Sequence, residues 1–353
     1  MTPVQTIAID AMGGDFGPSV FVPAAAAAFQ KTSSLRFIFF GDQTLIAEQM
    51  AQYPSLSAAS RVVHTDKKIS SDDKASSAIR KSKDSSMRLA IESVAEGQAD
   101  GVISAGNTGA LMALSKMILK CLPGISRPAI ASTFPTLTGR TLMLDLGANL
   151  ECDAEVLTQF AVLGAIYARV VMGVDSPSVG LLNVGTEEMK GHEEVRSAAA
   201  ILSTGQFPGR YHGFIEGTDI TKGTVDVVVT DGFTGNVALK TAEGVGKLTS
   251  QFLKDAFKSS PLAMLGYFLA SGAMKRMKDR VDPRKYNGGM FLGLNGICVK
   301  SHGGSDVIAT ENAIHVSAHL VSGGFNKKVA EEMDRLIAQN VISAAPVPET
   351  AQA

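Results

Sequence analysis

Short runs of Val, Ile and Leu alternate with stretches of helical periodicity, and this alternation constrains the fold more than any other feature of the sequence. Such runs suit strands that are buried on both faces of a sheet. Between the runs, apolar residues recur every three or four positions. Strand followed by helix, repeated, predicts a mostly parallel sheet covered by helices, a three-layer α/β/α fold. The predicted strands are residues 4–10, 35–40, 101–105, 141–146, 178–184 and 225–230, and the predicted helices include 87–95, 111–119 and 156–170.

Composition indicates a globular protein. The chain of 353 residues is 45% hydrophobic and 19% charged, without a long run of one sign. No composition shift marks a flexible linker before residue 340, so we predict one α/β catalytic domain over residues 1–342 and a disordered tail over 343–353. The formal net charge of -1 argues against a nucleic-acid partner, which would need a strongly basic surface.

The cysteines and the N-terminal residues predict a cytoplasmic location. Cys121, Cys152 and Cys298 are odd in number and lack CxxC spacing, which favours reduced thiols over disulfides or a zinc site. No Lys or Arg precedes Lys31, so a secretory signal is not expected. The uncharged stretch 259–274 contains two glycines and is too short to span a bilayer of about 20 residues.

Residues 236–284 interrupt the alternation, because they are helical in pattern and contain no predicted strand. We predict a helical hairpin that projects from the sheet. Between residues 254 and 285, eight cations face three acids, a local balance of +5, around an apolar tip. An apolar tip with basic flanks is typical of an element that binds an anionic membrane surface. Packing of the arm in a homodimer is the alternative, and both are compatible. The residues expected in the membrane interface are Leu262, Leu265 and Phe268.

Nearly every predicted strand ends in a loop of small residues. In a parallel sheet such loops all lie at the carboxyl edge, where ligands of open α/β sheets bind. Glycine lets backbone N–H groups approach an anion, and the following helix presents its positive N-terminus. We therefore predict a negatively charged ligand along one edge, with tight turns as the alternative for any single loop. The loops are residues 10–15, 104–110, 145–149, 183–191 and 230–236.

Polar residues in these loops are the candidate ligand contacts. The start of the helix after residue 106 is the preferred phosphate site, although Thr108 has helix capping as an alternative role. The nucleotide fingerprints GxGxxG and GxxxxGK[ST] are absent, as are GxSxG and HExxH, so His315 and His319 fit an ordinary helix face. The candidate phosphate or substrate contacts are Asp10, Gly13, Gly14, Asn107, Thr108, Gly109, Asn149, Asn183, Thr186 and Thr234.

Seven ordered motifs, DAMGGD, SAGNTGALMAL, DLGAN, NVGTEEMKG, DGFTGNVALK, GLNG and KSHGGSD, resemble those of the phosphate acyltransferases that make acyl phosphate from fatty acyl-acyl carrier protein. The resemblance spans residues 4 to about 335. Residues 288–293 and 71–77 are less typical of the family. The resemblance implies a sheet like that of isocitrate and isopropylmalate dehydrogenases or phosphotransacetylases, and a homodimer.

The implied reaction is attack of inorganic phosphate on the acyl thioester, without a metal or an organic cofactor. The acyl phosphate then feeds phospholipid synthesis through a membrane glycerol-3-phosphate acyltransferase. Phosphate is already an oxyanion, so the enzyme has to position it and stabilise the tetrahedral oxyanion. The resemblance points to Lys190 as a catalytic contact, with a solvated lysine as the alternative. Asn236 is the second catalytic candidate, with helix N-capping as its alternative.

Acyl carrier protein is acidic, so its docking is expected on a basic surface. Two basic segments qualify: residues 254–285, and residues 67–88, where seven cations face three acids. Ser301, His302 and Asp306 receive no predicted role. A dehydrogenase or phosphotransacetylase, and a non-catalytic carrier-protein or lipid-surface binding module, are the rival functions.

Overall fold

The computed structural model describes residues 4–70, 73, 79–80, 82–280, 282, 284 and 288–342. The predicted tail at 343–353 and most of the segment 71–77 lie outside these residues.

Eleven strands form one sheet in the described part of the chain. Thirteen α-helices accompany them, and the helix that starts at Ala154 continues into a π-helical turn, Ala168–Met172. The strands are β1 (Gln5–Asp10), β2 (Leu35–Gly41), β3 (Ser60–His64), β4 (Gly101–Ser104), β5 (Ala129–Pro135), β6 (Arg140–Leu144), β7 (Ser178–Leu182), β8 (Arg210–Ile215), β9 (Val227–Val229), β10 (Gly289–Leu292) and β11 (Ile297–Lys300). The helices are α1 (Pro18–Lys31), α2 (Gln43–Met50), α3 (Pro54–Ala58), α4 (Ser86–Ala95), α5 (Thr108–Leu119), α6 (Ala154–Tyr167), α7 (Glu193–Leu202), α8 (Gly217–Lys222), α9 (Gly232–Lys258), α10 (Pro261–Leu269), α11 (Ser271–Arg280), α12 (Val307–Ser322) and α13 (Phe325–Ala338).

The sheet consists of two parallel halves that run in opposite directions. The strand order is β3-β2-β1-β4-β11-β10-β5-β6-β9-β7-β8. Seven neighbouring pairs are parallel, whereas β11 with β10, β10 with β5, and β5 with β6 are antiparallel. Three reversals lie between β11 and β6, so the strands from β6 to β8 point opposite to those from β3 to β11.

This reversal corrects one expectation. The prediction that all glycine-rich loops share one edge is wrong, because it assumed that every strand runs the same way. The loops after β1, β4 and β11 lie at one edge, and those after β6, β7 and β9 lie at the opposite edge. The mostly parallel α/β sheet itself is confirmed.

Helix α6 lies in the core of the fold. All of its residues from Val156 to Tyr167 are buried. The stretch Ala154–Met172 is also the one helix of the described residues that is long and apolar enough to cross a membrane, and 72% of its most apolar window is buried inside the protein. Gly164 permits its close approach to the sheet, because an added Cβ would lie 2.5 Å from Val227 Cγ1. Core packing accounts for the apolar character of this helix.

Helices α9, α10 and α11 follow one another where a helical hairpin was predicted. Helix α9 begins at Gly232, four residues before the predicted start. It carries exposed apolar side chains along one stripe: Val237, Val245, Leu248 and Phe252 are 51%, 56%, 52% and 64% exposed. In α10, Leu262, Leu265 and Phe268 are 78%, 54% and 74% exposed, so the predicted apolar tip is uncovered in this chain.

Candidate active site

Three loops at the first edge of the sheet form one cluster, here called the first loop cluster: residues 10–15 after β1, 104–109 between β4 and α5, and 300–306 after β11. The Asp15 amide donates a hydrogen bond to the Gly303 carbonyl at 3.0 Å. Gly14 adopts a φ of 74°, and an added Cβ there would lie 2.8 Å from the same carbonyl oxygen. A side chain at this position would separate the loops, so the glycine is a packing requirement.

Asp10 is the buried carboxylate of the first loop cluster. It ends β1, is 1% exposed, and accepts hydrogen bonds from the hydroxyls of Ser86 and Ser104, both at 2.6 Å. Burial raises the pKa of the Asp10 carboxyl, and the two serine hydroxyls partly offset that effect. Gly13 packs on this group, since an added Cβ would lie 2.8 Å from Asp10 Oδ2 and from the Gly106 amide nitrogen. Asp10 therefore ties β1 to the starts of α4 and α5.

The start of α5 faces solvent at this edge. Asn107 is its N-cap and accepts a hydrogen bond from the Ala110 amide at 2.9 Å. The capping alternative considered for Thr108 is therefore wrong, because Thr108 is the first residue inside the helix. Thr108 and Gly109 are exposed, and their amides lie in the first turn, where a helix supplies no acceptor. These amides are available to an anion.

Strand β11 ends at a lysine, Lys300, to which the sequence motifs assigned no role. Lys300 is partly buried, and its ammonium donates a hydrogen bond to the Ser301 carbonyl. Burial lowers the pKa of Lys300 to about 8, although Asp10, Cys298 and Asp15 act in the opposite direction.

Asp306 caps α12 through the Ala309 amide at 2.9 Å and pairs with Arg284 at 3.1 Å. His302 is exposed and accepts a hydrogen bond from the Gly304 amide at 3.2 Å. Asp306 thus has a structural role, and Lys300 is the cation of this cluster.

At the opposite edge, the loops 145–149, 183–191 and 230–236 form what is here called the second loop cluster. Its centre is Asp145, which is fully buried. One carboxylate oxygen accepts from the amides of Ile130, Gly147 and Ala148 at 2.9, 3.2 and 3.1 Å. The other accepts from the amide and the side chain of Asn149 at 2.7 and 2.9 Å. Burial raises the pKa of Asp145, and these hydrogen bonds partly offset the effect.

Asn149 has a structural role in this cluster. Besides its bonds to Asp145, its side chain donates to the Pro128 carbonyl at 2.9 Å, and its carbonyl accepts from the Gly232 amide at 2.7 Å. Asn149 thus joins the DLGAN loop to the start of α9.

The cap of α9 is Asp231, which accepts from the amide and the hydroxyl of Thr234, both at 2.8 Å. Asn236 is the fifth residue of the helix, so its alternative role as an N-cap is wrong. Its side chain is exposed beside Gly147, where an added Cβ would lie 3.7 Å from Asn236 Oδ1. Asn236 is therefore open to a ligand at the second edge.

Lys190 lies on the loop after β7. Its ammonium is 3.7 Å from a Glu187 carboxylate oxygen, and its side chain is 53% exposed. The Asn183 side chain donates to the Lys190 carbonyl at 3.0 Å and so closes this loop. Gly191 is required there, because it has a φ of 86° and an added Cβ would lie 2.0 Å from Asn183 Oδ1. Thr186 is exposed on the same loop.

The predicted site residues therefore fall into two groups within one chain. Sequence reasoning missed Ser86, Ser104, Asp145 and Lys300. Two signals were available: Asp145 and Lys300 each open a glycine-rich motif at the end of a strand. The first group contains Asp10, Gly13, Gly14, Asn107, Thr108 and Gly109, and the second contains Asn149, Asn183, Thr186, Lys190, Thr234 and Asn236.

Across the described residues, no group of three or more His, Cys, Asp and Glu side chains is arranged to hold a metal. Cys152 lies near the second loop cluster, where burial raises its pKa to about 12, with the negative charges of Asp145 and Asp231 adding to the effect. A thiol in that environment stays protonated at neutral pH and is a poor nucleophile.

The fold is that of phosphotransacetylases. A phosphotransacetylase from Streptococcus pyogenes superposes with a TM-score of 0.62, at 19% identity, covering 90% of this chain and 94% of that chain. One from Staphylococcus aureus gives a TM-score of 0.61 at 16% identity, covering 91% and 96%. At such identities the similarity establishes the fold alone.

The chain belongs to the family described as fatty acid synthesis protein, whose model matches residues 5–328. It is 55% identical over 347 residues to a phosphate acyltransferase of Rhodospirillum centenum, covering 98% of both chains. It is 51% identical to a phosphate acyltransferase of Caulobacter vibrioides, covering 96% of this chain and 94% of the relative. The family and the acyltransferase class predicted from the loop motifs are confirmed.

Proposed function

We propose that the protein transfers a fatty acyl group from acyl carrier protein to inorganic phosphate. The first loop cluster carries this proposal: it joins a lysine, exposed amides at the start of α5 and glycine-lined loops at one sheet edge. A lysine and a helix N-terminus both favour an anion, and phosphate is the acceptor in the name of the relatives. Membership of a fatty acid synthesis family supports an acyl chain as the group transferred.

The reaction needs no covalent enzyme intermediate. An oxygen of hydrogen phosphate attacks the thioester carbon, an O–C bond forms, and the C–S bond breaks. The carrier thiolate takes the proton of hydrogen phosphate and leaves as a thiol, so atoms and charge balance. The enzyme holds the two reactants together and stabilises the tetrahedral oxyanion. The acyl phosphate is a reactive mixed anhydride, suited to a later acyl transfer such as that of a membrane glycerol-3-phosphate acyltransferase.

The two loop clusters meet in one active site if a second copy of the chain supplies one of them. Within one chain they lie at opposite edges of the sheet, so Lys190 and Asn236 are at the edge opposite to the start of α5. Helix α9 begins at the second loop cluster and carries an exposed apolar stripe, which suits packing against a second copy. We place the phosphate at the first cluster of one copy and assign Lys190 and Asn236 of its partner to the thioester oxygen.

Co-expression of two defective chains tests the shared site. Lys190→Ala removes the cation of the second loop cluster. Gly14→Val separates the loops of the first loop cluster, because its side chain would meet the Gly303 carbonyl. Each homodimer should be nearly inactive. Random pairing makes about half of the dimers mixed, each with one intact site, so activity should return to about a quarter of wild type. Mixed dimers without activity would rule out a site shared between copies.

Carrier protein docks, in this proposal, on the basic segment 67–88 rather than on 254–285. The Ser86 amide donates to the Lys67 carbonyl at 3.0 Å, and the Ser86 hydroxyl binds Asp10, so the two described ends of this segment border the first loop cluster. Lys68 and Lys83 are exposed beside it. The double variant Lys68→Glu, Lys83→Glu should raise the KM for acyl carrier protein, and activity should fall as salt rises. The double variant Lys254→Glu, Lys258→Glu serves as the control and should leave the KM for acyl carrier protein unchanged. If the KM rises in this control and not in the first variant, carrier protein docks on segment 254–285 instead.

The apolar tip on α10 is assigned to an anionic membrane surface. Lys254, Lys258, Lys275 and Arg276 are exposed on the flanking helices, whereas the side chains of 278–280 and residue 285 lie outside the described part. Vesicles containing anionic lipid should carry the wild-type protein upward in flotation and release the Leu265→Glu, Phe268→Glu variant. Leu137→Glu is the control, because Leu137 is 76% exposed on the turn between β5 and β6. Equal flotation of all three proteins would contradict the membrane role.

Product analysis tests the reaction itself. Palmitoyl carrier protein and inorganic phosphate are mixed with the protein, and mass spectrometry follows acyl phosphate and free carrier thiol. We expect both to appear in equal amounts. Acetyl-coenzyme A is offered in parallel, and product from that donor alone would assign the protein to the phosphotransacetylase reaction instead. Carrier binding without any product would favour a non-catalytic role.

A further inference from the structure

A row of polar residues crosses three neighbouring strands at the first edge of the sheet. Two residues earlier in each strand, the side chains on the same face are apolar and are buried under α4 and α5. The register places Lys300 opposite Ser104, and Ser104 opposite Asp10. Because alternate residues of a strand share a face, these three side chains leave from the face that carries the buried row. The buried row is Ala8, Val102 and Cys298.

This polar row lies between two helix starts. The Ser86 hydroxyl at the start of α4 binds Asp10, and the Ser104 hydroxyl accepts from the Gly106 amide at 3.0 Å just before α5. Neighbouring strands are about 4.8 Å apart, so Lys300 is one strand away from the segment that leads into α5. Lys300 and the exposed amides of Thr108 and Gly109 therefore lie at the same edge of the sheet.

Among the described residues, no carboxylate forms a salt bridge with Lys300, although Asp10 and Asp15 act on it at longer range. The Asp10 carboxylate is already engaged by two serine hydroxyls, and Asp15 is exposed. The contact of the ammonium with the Ser301 carbonyl uses one of its three N–H donors. Within the described part of the chain the other two donors have no hydrogen-bond partner, and we assign them to a further acceptor at the solvent edge. A lysine withdrawn from water gains most from an anion that supplies such acceptors.

We propose that Lys300 binds the inorganic phosphate that attacks the thioester, together with the amides at the start of α5. The proposal rests on the proposed function and names the phosphate contact within it. Asp10 acts as a positioning residue: it holds Ser86 and Ser104, and through them the two helix starts, around the lysine. A dianion fits better than the neutral thioester, because a cation and a helix N-terminus occupy the same edge of the sheet.

Calorimetric titration of inorganic phosphate, without any acyl donor, measures this contact independently of catalysis. Lys300→Met keeps the length of the side chain and removes the charge. Phosphate binding should weaken by between about 10-fold and about 100-fold, the range for a hydrogen bond to a charged group. Lys300→Arg should retain most of the binding. Lys327→Met is the control, because Lys327 is 81% exposed on α13, and it should bind phosphate like wild type. Unchanged binding by folded Lys300→Met would overturn the proposal.

Steady-state kinetics add a second readout. With Lys300→Met, the KM for phosphate should rise by the same factor while the KM for acyl carrier protein stays constant. A purely structural role would lower kcat and leave phosphate affinity unchanged. If wild type binds phosphate through Lys300 but makes no acyl phosphate, the proposed function fails and the site stands. If wild type makes acyl phosphate and Lys300→Met keeps its phosphate affinity, the Lys300 contact is refuted while the proposed function stands.

The pH dependence of phosphate binding to wild type requires no variant. Above pH 8 phosphate is already a dianion, so a further loss of affinity reports on the protein. Among the described residues, the titratable groups that act on Lys300 are Asp10, Asp15 and Cys298. Since burial lowers the pKa of Lys300 to about 8, affinity should fall between pH 8 and 9.5, while Lys300→Arg should hold its affinity there. A flat wild-type profile over that interval would overturn the assignment.

Discussion

Gly235 at the start of α9 gives a sharp test of how the second loop cluster is assembled. A Cβ added at this position would lie 1.8 Å from the carbonyl oxygen of Asp145. Carbon and oxygen atoms in close contact lie about 3.3 Å apart, so Gly235→Ala forces α9 away from β6 by roughly 1.5 Å. That shift also stretches the 2.7 Å hydrogen bond from the Gly232 amide to the Asn149 carbonyl.

The expected cost follows from three contributions. Overpacking against backbone costs about 3 kcal/mol, and the weakened hydrogen bond costs about 1 kcal/mol. Alanine gains about 1 kcal/mol over glycine inside a helix. Gly235→Ala should therefore destabilise the protein by roughly 3 kcal/mol. Gly246→Ala in the same helix meets nothing within 4 Å and should stabilise by about 1 kcal/mol.

Urea denaturation at fixed protein concentration measures both variants, because the linear slope gives each free energy of unfolding. The two free energies should differ by about 4 kcal/mol in favour of Gly246→Ala. Acyl phosphate formation should fall with Gly235→Ala, since Asn236 moves with the helix, and should persist with Gly246→Ala. Equal stability of the two variants would refute the close packing of α9 on Asp145.

Three further predictions concern buried titratable groups. Lys300→Met should raise the free energy of unfolding by up to roughly 3 kcal/mol below pH 8, because the pKa drop from 10.5 to about 8 measures the cost of burying the ammonium. Since the pKa of Lys300 is lower in the folded than in the unfolded state, this gain in the free energy of unfolding should shrink as pH rises from 8 and vanish above 10.5. A gain that does not change with pH would argue against the burial of a charged Lys300. Asp145→Ala should destabilise by about 3 kcal/mol or more in thermal unfolding, because four backbone amides lose their acceptor, and a loss under 1 kcal/mol would contradict the role of this carboxylate. Iodoacetamide at pH 8 should label Cys152 only after unfolding, because burial raises its pKa to about 12. Mass spectrometry measures the labelling, and fast labelling of Cys152 in the native protein would contradict its burial.

Periodicity predicted six of the eleven described strands and missed β3, β5, β8, β10 and β11. All six predicted strands occur, among them β1, β2 and β4, because strands covered on both faces are apolar throughout. The missed strands β3 and β8 lie at the two ends of the sheet, where one side has no neighbour and polar residues are tolerated. The strands β5, β10 and β11 lie inside the sheet but depart from the alternation, because no helix separates β5 from β6 or β10 from β11.

The local sequence pattern could not predict the direction of the strands from β6 to β8. It depends on β5 pairing antiparallel with β6 and on β10 inserting between β11 and β5, pairings between segments as far apart as residues 131 and 290. Loop composition predicted a ligand at one edge of the sheet, but it did not reveal that the loops lie at two opposite edges. Lys300 and Asp145 were passed over because their roles arise from burial, which composition alone does not reveal.

The location of bound phosphate tests the central claim most directly. A crystal structure determined in the presence of inorganic phosphate should show the anion in the first loop cluster, with Lys300 and the amides of Thr108 and Gly109 within hydrogen-bond distance. Phosphate held by Lys190 in the absence of any contact with Lys300 would contradict the account.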